Sequence, residues 1–176
     1  MRKIIIAIGA LIAVTALSPA TTALAINHYW SMNASGCTPD NTPIQSNLYN
    51  VSSGAVQPAA SNPSTAIDLN CPTKHNSGAT NPTQLCISAY NDGTVYTLSG
   101  NYVGTFYRKN RSTGTLTSTG TVDMDADGNS GLDQFACGST FSHTLDWNTY
   151  FYYVKVTVTP NVSTSGMSFR GIVLQS

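Results

Sequence analysis

The chain contains no glutamate, and only 9% of its 176 residues are charged, so every acidic group is an aspartate. Without Glu the Glu-to-Lys pairs that support exposed helices are missing. The abundant Ser, Thr, Asn and Gly compete with helical hydrogen bonding and favour turns and extended structure. Long amphipathic helices are therefore excluded as the framework. No basic run is longer than Arg108-Lys109-Asn110-Arg111, so the electrostatic footprint of a nucleic-acid binder is missing. Followed by Ser112-Thr113-Gly114, that cluster reads as a solvated hairpin turn. There is no C-x-x-C pair, and His28, His75 and His143 are scattered, which removes the ligand spacing of a zinc site. The longest apolar run, Ile4 to Leu17, falls short of the roughly 18 residues of a membrane-spanning helix.

What is present begins with Met1, Arg2 and Lys3, a short positive segment, followed by that apolar run and then by small and polar residues from Ser18 to Ala25. This is the order of a secretory signal peptide. Ala23 and Ala25 form an A-x-A site that places cleavage before Ile26, with a cut after Ala20 as the alternative. No cysteine follows the apolar run until Cys37, which argues against a lipid-anchored form. The expectation is an exported protein, secreted or periplasmic, with no integral membrane anchor after cleavage. Residues 26–176 are long enough for a single domain with one core. Because Arg2 and Lys3 lie in the leader, the exported chain is mildly negative.

Cys37, Cys71, Cys86 and Cys137 are an even set in a chain bound for an oxidising compartment, which implies two disulfides. Three pairings are possible. Cys37 with Cys71 and Cys86 with Cys137 is favoured, because each bridge then closes a loop within one half of the domain.

Residues 26–82 carry Pro39, Pro43, Pro58, Pro63, Pro72 and Pro82, so strands there must be short or lie at sheet edges. Ser46 to Val51 and Ala66 to Asn70 are the strand candidates in this loop-rich half. Residues 83–176 are strand-rich. Alternation through Gln84 to Tyr90, then Asn91-Asp92-Gly93, predicts a hairpin that returns over Thr94 to Leu98. Asn101 to Arg108 and Thr115 to Val122 predict a second hairpin around Asn110 to Gly114. Thr149 to Thr159 is the strongest strand, with Tyr152, Val154, Val156 and Val158 on one face and Phe151, Tyr153, Lys155, Thr157 and Thr159 on the other. Met167 to Leu174 closes the chain. Short strands separated by turn signals point to an all-β antiparallel sandwich or jelly roll.

An early cysteine, then Tyr49-Asn50-Val51-Ser52, Cys71-Pro72, a third cysteine at Cys86 that opens a strand, and a late Cys137-Gly138 together resemble a group of uncharacterised small secreted bacterial proteins with a four-cysteine framework. The resemblance covers most of the exported chain. It implies a disulfide-linked β-sandwich and carries no activity with it.

Half of the aspartates fall in one segment, Asp123-Met124-Asp125-Ala126-Asp127-Gly128-Asn129-Ser130-Gly131-Leu132-Asp133. Calcium takes six to eight oxygen ligands, and carboxylates at the first, third and fifth positions of a loop can wrap it while a glycine at the sixth permits the sharp turn. Asp123, Asp125 and Asp127 match those positions, Asn129 offers a backbone carbonyl, and Asp133 is the acid near the end. Where an EF-hand has a bidentate glutamate this chain has Gln134, and the flanks read as strands, so no EF-hand is predicted. The alternative is an acidic solvated turn, in which the like charges repel. Calcium is the cofactor expected here, in a structural role.

For catalysis, His143 and Asp146 are near one another, but there is no G-x-S-x-G elbow, and aspartates alone select no pair for glycoside hydrolysis. No catalytic residue is assigned. Most of the aromatic residues should be core, with Trp147 in the Asp146-Trp147-Asn148 turn as the candidate ligand contact. The expected function is a non-enzymatic secreted or surface-associated β-module with a structural or binding role and a glycan or surface-protein partner. Its rivals are a carbohydrate-binding module, a small secreted hydrolase, and a polymer subunit whose arm at residues 26–45 adds a strand to a neighbour.

Overall fold

The computed structural model describes residues 28–40, 45, 47–59, 65–75, 81–91, 102–124, 133–160 and 167–176. The leader read over residues 1–25 lies outside them. Strands run over β1 (His28–Asn33), β2 (Thr38–Pro39), β3 (Tyr49–Ser52), β4 (Ala55–Pro58), β5 (Ile67–Pro72), β6 (Gln84–Asn91), β7 (Tyr102–Asn110), β8 (Leu116–Asp123), β9 (Asp133–Cys137), β10 (Tyr150–Val158) and β11 (Met167–Gln175). One sheet is ordered β3-β4-β11-β6-β9, with β1 also paired to β11, and the other β2-β5-β10-β7-β8. All the pairings are antiparallel, and the fold is the all-β, two-sheet sandwich expected from the turn-separated strands.

Period-two alternation decides what each sheet turns inward. On β10, Tyr152, Val154, Val156 and Val158 are buried while Tyr153, Lys155 and Thr157 lie on the other face. Ile67, Leu69 and Cys71 of β5 join them. From the opposing sheet come Leu85, Ile87 and Ala89 of β6 and Phe169, Ile172 and Leu174 of β11, so one core holds both layers together. Each fully buried Val, Leu, Ile or Phe contributes roughly 1.5 to 3 kcal/mol.

The β7–β8 hairpin falls where its turn residues predict. The Asn110 side chain accepts the backbone N–H groups of Ser112 and Thr113, each at 2.9 Å, and Gly114 takes a φ of 71°. A positive φ is the conformation glycine adopts without steric cost.

Both disulfides follow the favoured pairing, Cys37–Cys71 and Cys86–Cys137. Cys86 and Cys137 stand directly opposite one another on β6 and β9. Cys37 sits one place before the Thr38–Asn70 pair of β2 and β5, so it too faces its partner across a strand pair. The two bridges differ in direction. Cys37 and Cys71 belong to the hydrophobic core, whereas Cys86 alternates with the core residues Leu85 and Ile87 and lies on the opposite face of its strand, where it is nonetheless fully buried while Cys137 is partly exposed.

Three expectations need correction. The hairpin from Gln84 to Leu98 cannot form as read, because β6 is paired along one edge by β11 and along the other by β9. Its return segment, Thr94 to Leu98, lies outside the described residues. The proline-rich half is also more ordered than its composition suggests. Within residues 26–45, the arm of the polymer-subunit alternative, β1 lies against β11 with Tyr29 in the core and β2 pairs with β5. Gly171 of β11 permits the close approach of β1, since a Cβ there would stand 2.5 Å from the Met32 carbonyl oxygen. Finally, the Arg108 to Arg111 cluster is not simply a solvated turn. Arg108 pairs opposite the inward-facing Tyr152 and is partly buried.

Candidate functional site: the aromatic end of the sandwich

The segment between β9 and β10 crosses from one sheet to the other and closes one end of the sandwich. Gly138 N–H donates to the Leu85 carbonyl at 3.0 Å and Phe141 N–H to the Thr83 carbonyl at 2.7 Å. The Gly138 backbone lies so near the Thr121 carbonyl, and the Phe141 ring so near Gly120, that neither glycine has room for a side chain. From there the chain runs over Tyr152, which is only 4% exposed.

The Tyr152 hydroxyl organises this end. Its oxygen accepts the Asp146 N–H at 2.9 Å and stands 3.1 Å from His143 Nε2. With the oxygen already accepting one proton, the hydroxyl can donate its own to a neutral imidazole. Burial, with the nearby Arg108 charge, holds the His143 pKa below its ordinary value, and burial raises that of Tyr152. Both shifts favour the neutral partners. The Asp146 carboxylate points elsewhere. Its Oδ1 accepts the N–H groups of Asn148 at 3.0 Å and Thr149 at 3.2 Å, a side-chain-closed turn of the kind aspartate favours. Hydrogen bonding from the Thr149 side chain, assisted by these backbone donors, keeps its pKa low.

A hydrolase reading required His143, an aspartate and a hydroxyl to converge. They do meet, but the hydroxyl is a buried phenol and the aspartate contributes its backbone N–H. Nucleophile, base and orienting acid are thus not arranged in series.

Trp147 packs edge-on against Tyr152 at 4.8 Å and against His75 at 5.4 Å between ring centroids. It is half-buried, and among the described residues its indole N–H has no hydrogen-bond partner. Near this turn runs a rim of cations laid on rings, divided between the two faces of β10. The Arg108 guanidinium is 5.0 Å from the Tyr150 ring centroid, and that of Arg111 is 4.4 Å from Phe151. Arg111 also donates to the Trp147 carbonyl at 3.2 Å, tying the β7–β8 turn to the turn before β10. Phe151 is 52% and Leu116 47% exposed, and Lys109 stands between them in register. Thr73 bonds the Tyr152 carbonyl through its hydroxyl at 2.8 Å, which brings Lys74 and His75 to the same end.

A second polar group lies on the outer face of the β2-β5-β10-β7-β8 sheet. Lys155 Nζ is 3.1 Å from Asp40 and 3.2 Å from Asp68, and Asn70 donates to Asp40 at 2.8 Å. Burial opposes the Lys155 charge, but the two carboxylates outweigh it and raise its pKa. Asp40 is lowered, first by the Asn70 hydrogen bond and then by Lys155. Beside this group Tyr107 and Tyr153 stack with centroids 5.5 Å apart.

The aspartate segment is only partly described. Asp123 closes β8 and Asp133 opens β9, so the expected strand flanks are present. Asp125, Asp127 and Asn129 lie outside the described residues, among which no group of three or more metal-ligating side chains occurs. No helix among the described residues is long and apolar enough to cross a membrane.

Of the candidates read from sequence, Trp147 is at the aromatic end and the four cysteines are paired. Sequence reasoning missed the cationic rim. One signal was available, since Phe151 falls on the polar face of the strongest alternating strand, where burial cannot account for an aromatic residue. No protein-family model matches the chain, and no curated protein sequence matches it.

Proposed function

We propose that this is an exported, non-enzymatic binding module whose aromatic end docks an anionic glycan of a cell surface or extracellular matrix. The observation that carries the proposal is the rim, with Arg108 on Tyr150 and Arg111 on Phe151 beside the half-buried Trp147. Rings supply rigid contact area at low entropic cost, and a guanidinium held on a ring presents its charge in a fixed place. His143, Asp146 and Tyr152 beneath the rim serve to hold it. Two disulfides suit an oxidising compartment, in keeping with the leader, and calcium is the cation proposed for the aspartate connection between β8 and β9.

The test is binding of the exported chain to sulfated and carboxylated polysaccharides, with a neutral polysaccharide as control, over a series of salt concentrations. Retention by the acidic polymers at low salt is expected, falling roughly tenfold in Arg111→Gln and in Phe151→Ala, as loss of about 1.4 kcal/mol of charge and ring contact implies. Absence of retention, or retention untouched by both substitutions, would refute the proposal. Thermal melting with and without millimolar calcium tests the cation, because a ligand of the folded state must raise the midpoint.

A further inference from the structure

Each disulfide ties the last strand of a sheet to its neighbour. β9 ends one sheet order and is held to β6 by Cys86–Cys137, while β2 ends the other and is held to β5 by Cys37–Cys71, Cys37 standing just before β2. What differs is the face. Cys37 and Cys71 point into the sandwich, with exposures of 8% and 0%, and are walled by the core. Cys86 and Cys137 point away from it, since Cys137 alternates with the core residue Ala136 just as Cys86 alternates with Leu85 and Ile87. Cys86 is fully covered, but Cys137 is partly exposed. Phe135, 44% exposed, stands two places before Cys137 on the same face of β9.

The strand pair around this bridge has other ties. β6 and β9 are in register from Tyr90 opposite Asp133 to Cys86 opposite Cys137. Just beyond, the Gly138 N–H donates to the Leu85 carbonyl at 3.0 Å, and the Gln84 side-chain amide donates to the Gly138 carbonyl at 2.7 Å. These hydrogen bonds hold β9 in place whether the S–S bond is closed or open.

We infer that Cys86–Cys137 is a thiol-exchange site, opened by a dithiol while the protein stays folded, and that Cys137 is the sulfur attacked. Exchange proceeds by attack of a thiolate on one sulfur with departure of the other, through a mixed disulfide. The line from Cys86 through Cys137 leads off the sheet, because β9 is the outermost strand. A thiolate of the reductant bonds to Cys137 Sγ there. The S–S bond breaks, and its electron pair passes to Cys86 Sγ, which takes a proton. The second thiol of the reductant loses its proton and attacks its partner sulfur in the mixed disulfide, which releases Cys137, and this too is protonated. The dithiol is thereby oxidised to a disulfide, and its two electrons reduce the bridge. Attack on Cys37–Cys71 would have to come through the core. The site lies apart from the cationic rim and is independent of glycan docking there.

The exported chain is treated with dithiothreitol in native buffer and quenched at intervals with iodoacetamide, and the alkylated cysteines are located by peptide mapping. Cys86 and Cys137 should be labelled at least about tenfold faster than Cys37 and Cys71, since a core-facing bridge is reached only when the sandwich opens locally. Thermal melting of the half-reduced form should keep one cooperative transition. Iodoacetamide should also label Cys137 in Cys86→Ser at least about tenfold faster than Cys86 in Cys137→Ser, because only the former thiol is exposed. The labelling order in the parent chain decides the matter even if a variant fails to fold. Labelling of Cys37 and Cys71 first or at an equal rate, labelling of no cysteine short of unfolding, loss of the cooperative transition in the half-reduced form, or equal labelling of the two folded variants would overturn the assignment.

Discussion

Strands β1 to β5 span two to six residues each, whereas β6, β7, β8, β10 and β11 span eight or nine. The difference follows proline. Pro39, Pro58 and Pro72 end β2, β4 and β5, because a residue without an N–H cannot continue a ladder. Position in the sheets follows length, with β8 the one long strand at an outer edge among those described. The long strands supply β11 and β6 in one sheet and β10 and β7 in the other, with the short ones added outside them. The first half of the domain is thus a set of flanking strands placed on a scaffold built by the second. Each half nevertheless carries its own bridge, Cys37–Cys71 or Cys86–Cys137.

The bridges give the sharpest way to break that comparison. Their sequence separations of 34 and 51 residues imply similar losses of about 4 kcal/mol from chain entropy alone. Paired Cys→Ser substitutions should separate them. Serines at 37 and 71 would place two hydroxyls in buried positions, at about 1 to 3 kcal/mol for each one left unsatisfied, whereas of those at 86 and 137 only the first would be buried, Cys137 being partly exposed. Urea unfolding should therefore show the larger loss for the first pair. An equal or reversed order would mean that the flanking half does not depend on its core-facing bridge.

A smaller effect distinguishes neighbours on the strand β10. Tyr152→Phe removes the oxygen that accepts the Asp146 N–H and faces His143, and should cost about 1 to 2 kcal/mol. Tyr153→Phe, on the outer face, should stay within about 0.5 kcal/mol of the parent. Equal losses would show that the closed end is not organised by the Tyr152 hydroxyl.

The smallest effect is in pH. The His143 pKa is lowered in the folded state, by burial and then by Arg108, so the unfolded chain binds the proton more readily. Stability should rise with pH through the window just below the ordinary imidazole value and level off above it. Melting temperatures measured across that window should show a slope that flattens in His143→Gln. An unchanged slope would assign the dependence to other groups.

Much of this was legible in the chain. The period-two face of Thr149 to Thr159 and the Asn110 to Gly114 turn are local signals, and the structure follows them, as it follows the favoured pairing of the cysteines. The hairpin after Gln84 was misread because alternation says that a segment is a strand and nothing about which strand will take its edge. β1 was missed for a related reason, since its partner β11 lies at the far end of the chain.

The candidate sites were the least legible. Arg111 on Phe151 joins residues forty positions apart, and Arg170 on Tyr90 joins residues eighty apart. Phe151 on a polar face was a usable hint. Nothing around Arg170 in sequence distinguishes it from a solvated arginine.

By itself the sequence determined the class of structure. Abundant Ser, Thr, Asn and Gly, proline spacing, alternation and four cysteines act through the local backbone and through chain entropy, which need no knowledge of neighbours. Only the tertiary structure decided which edges pair, which bridge faces the core, and where cations meet rings, because those outcomes depend on the packing of segments distant in sequence. The flanking half shows the division most clearly: its prolines dictated short strands, and the long strands of the other half decided where they lie.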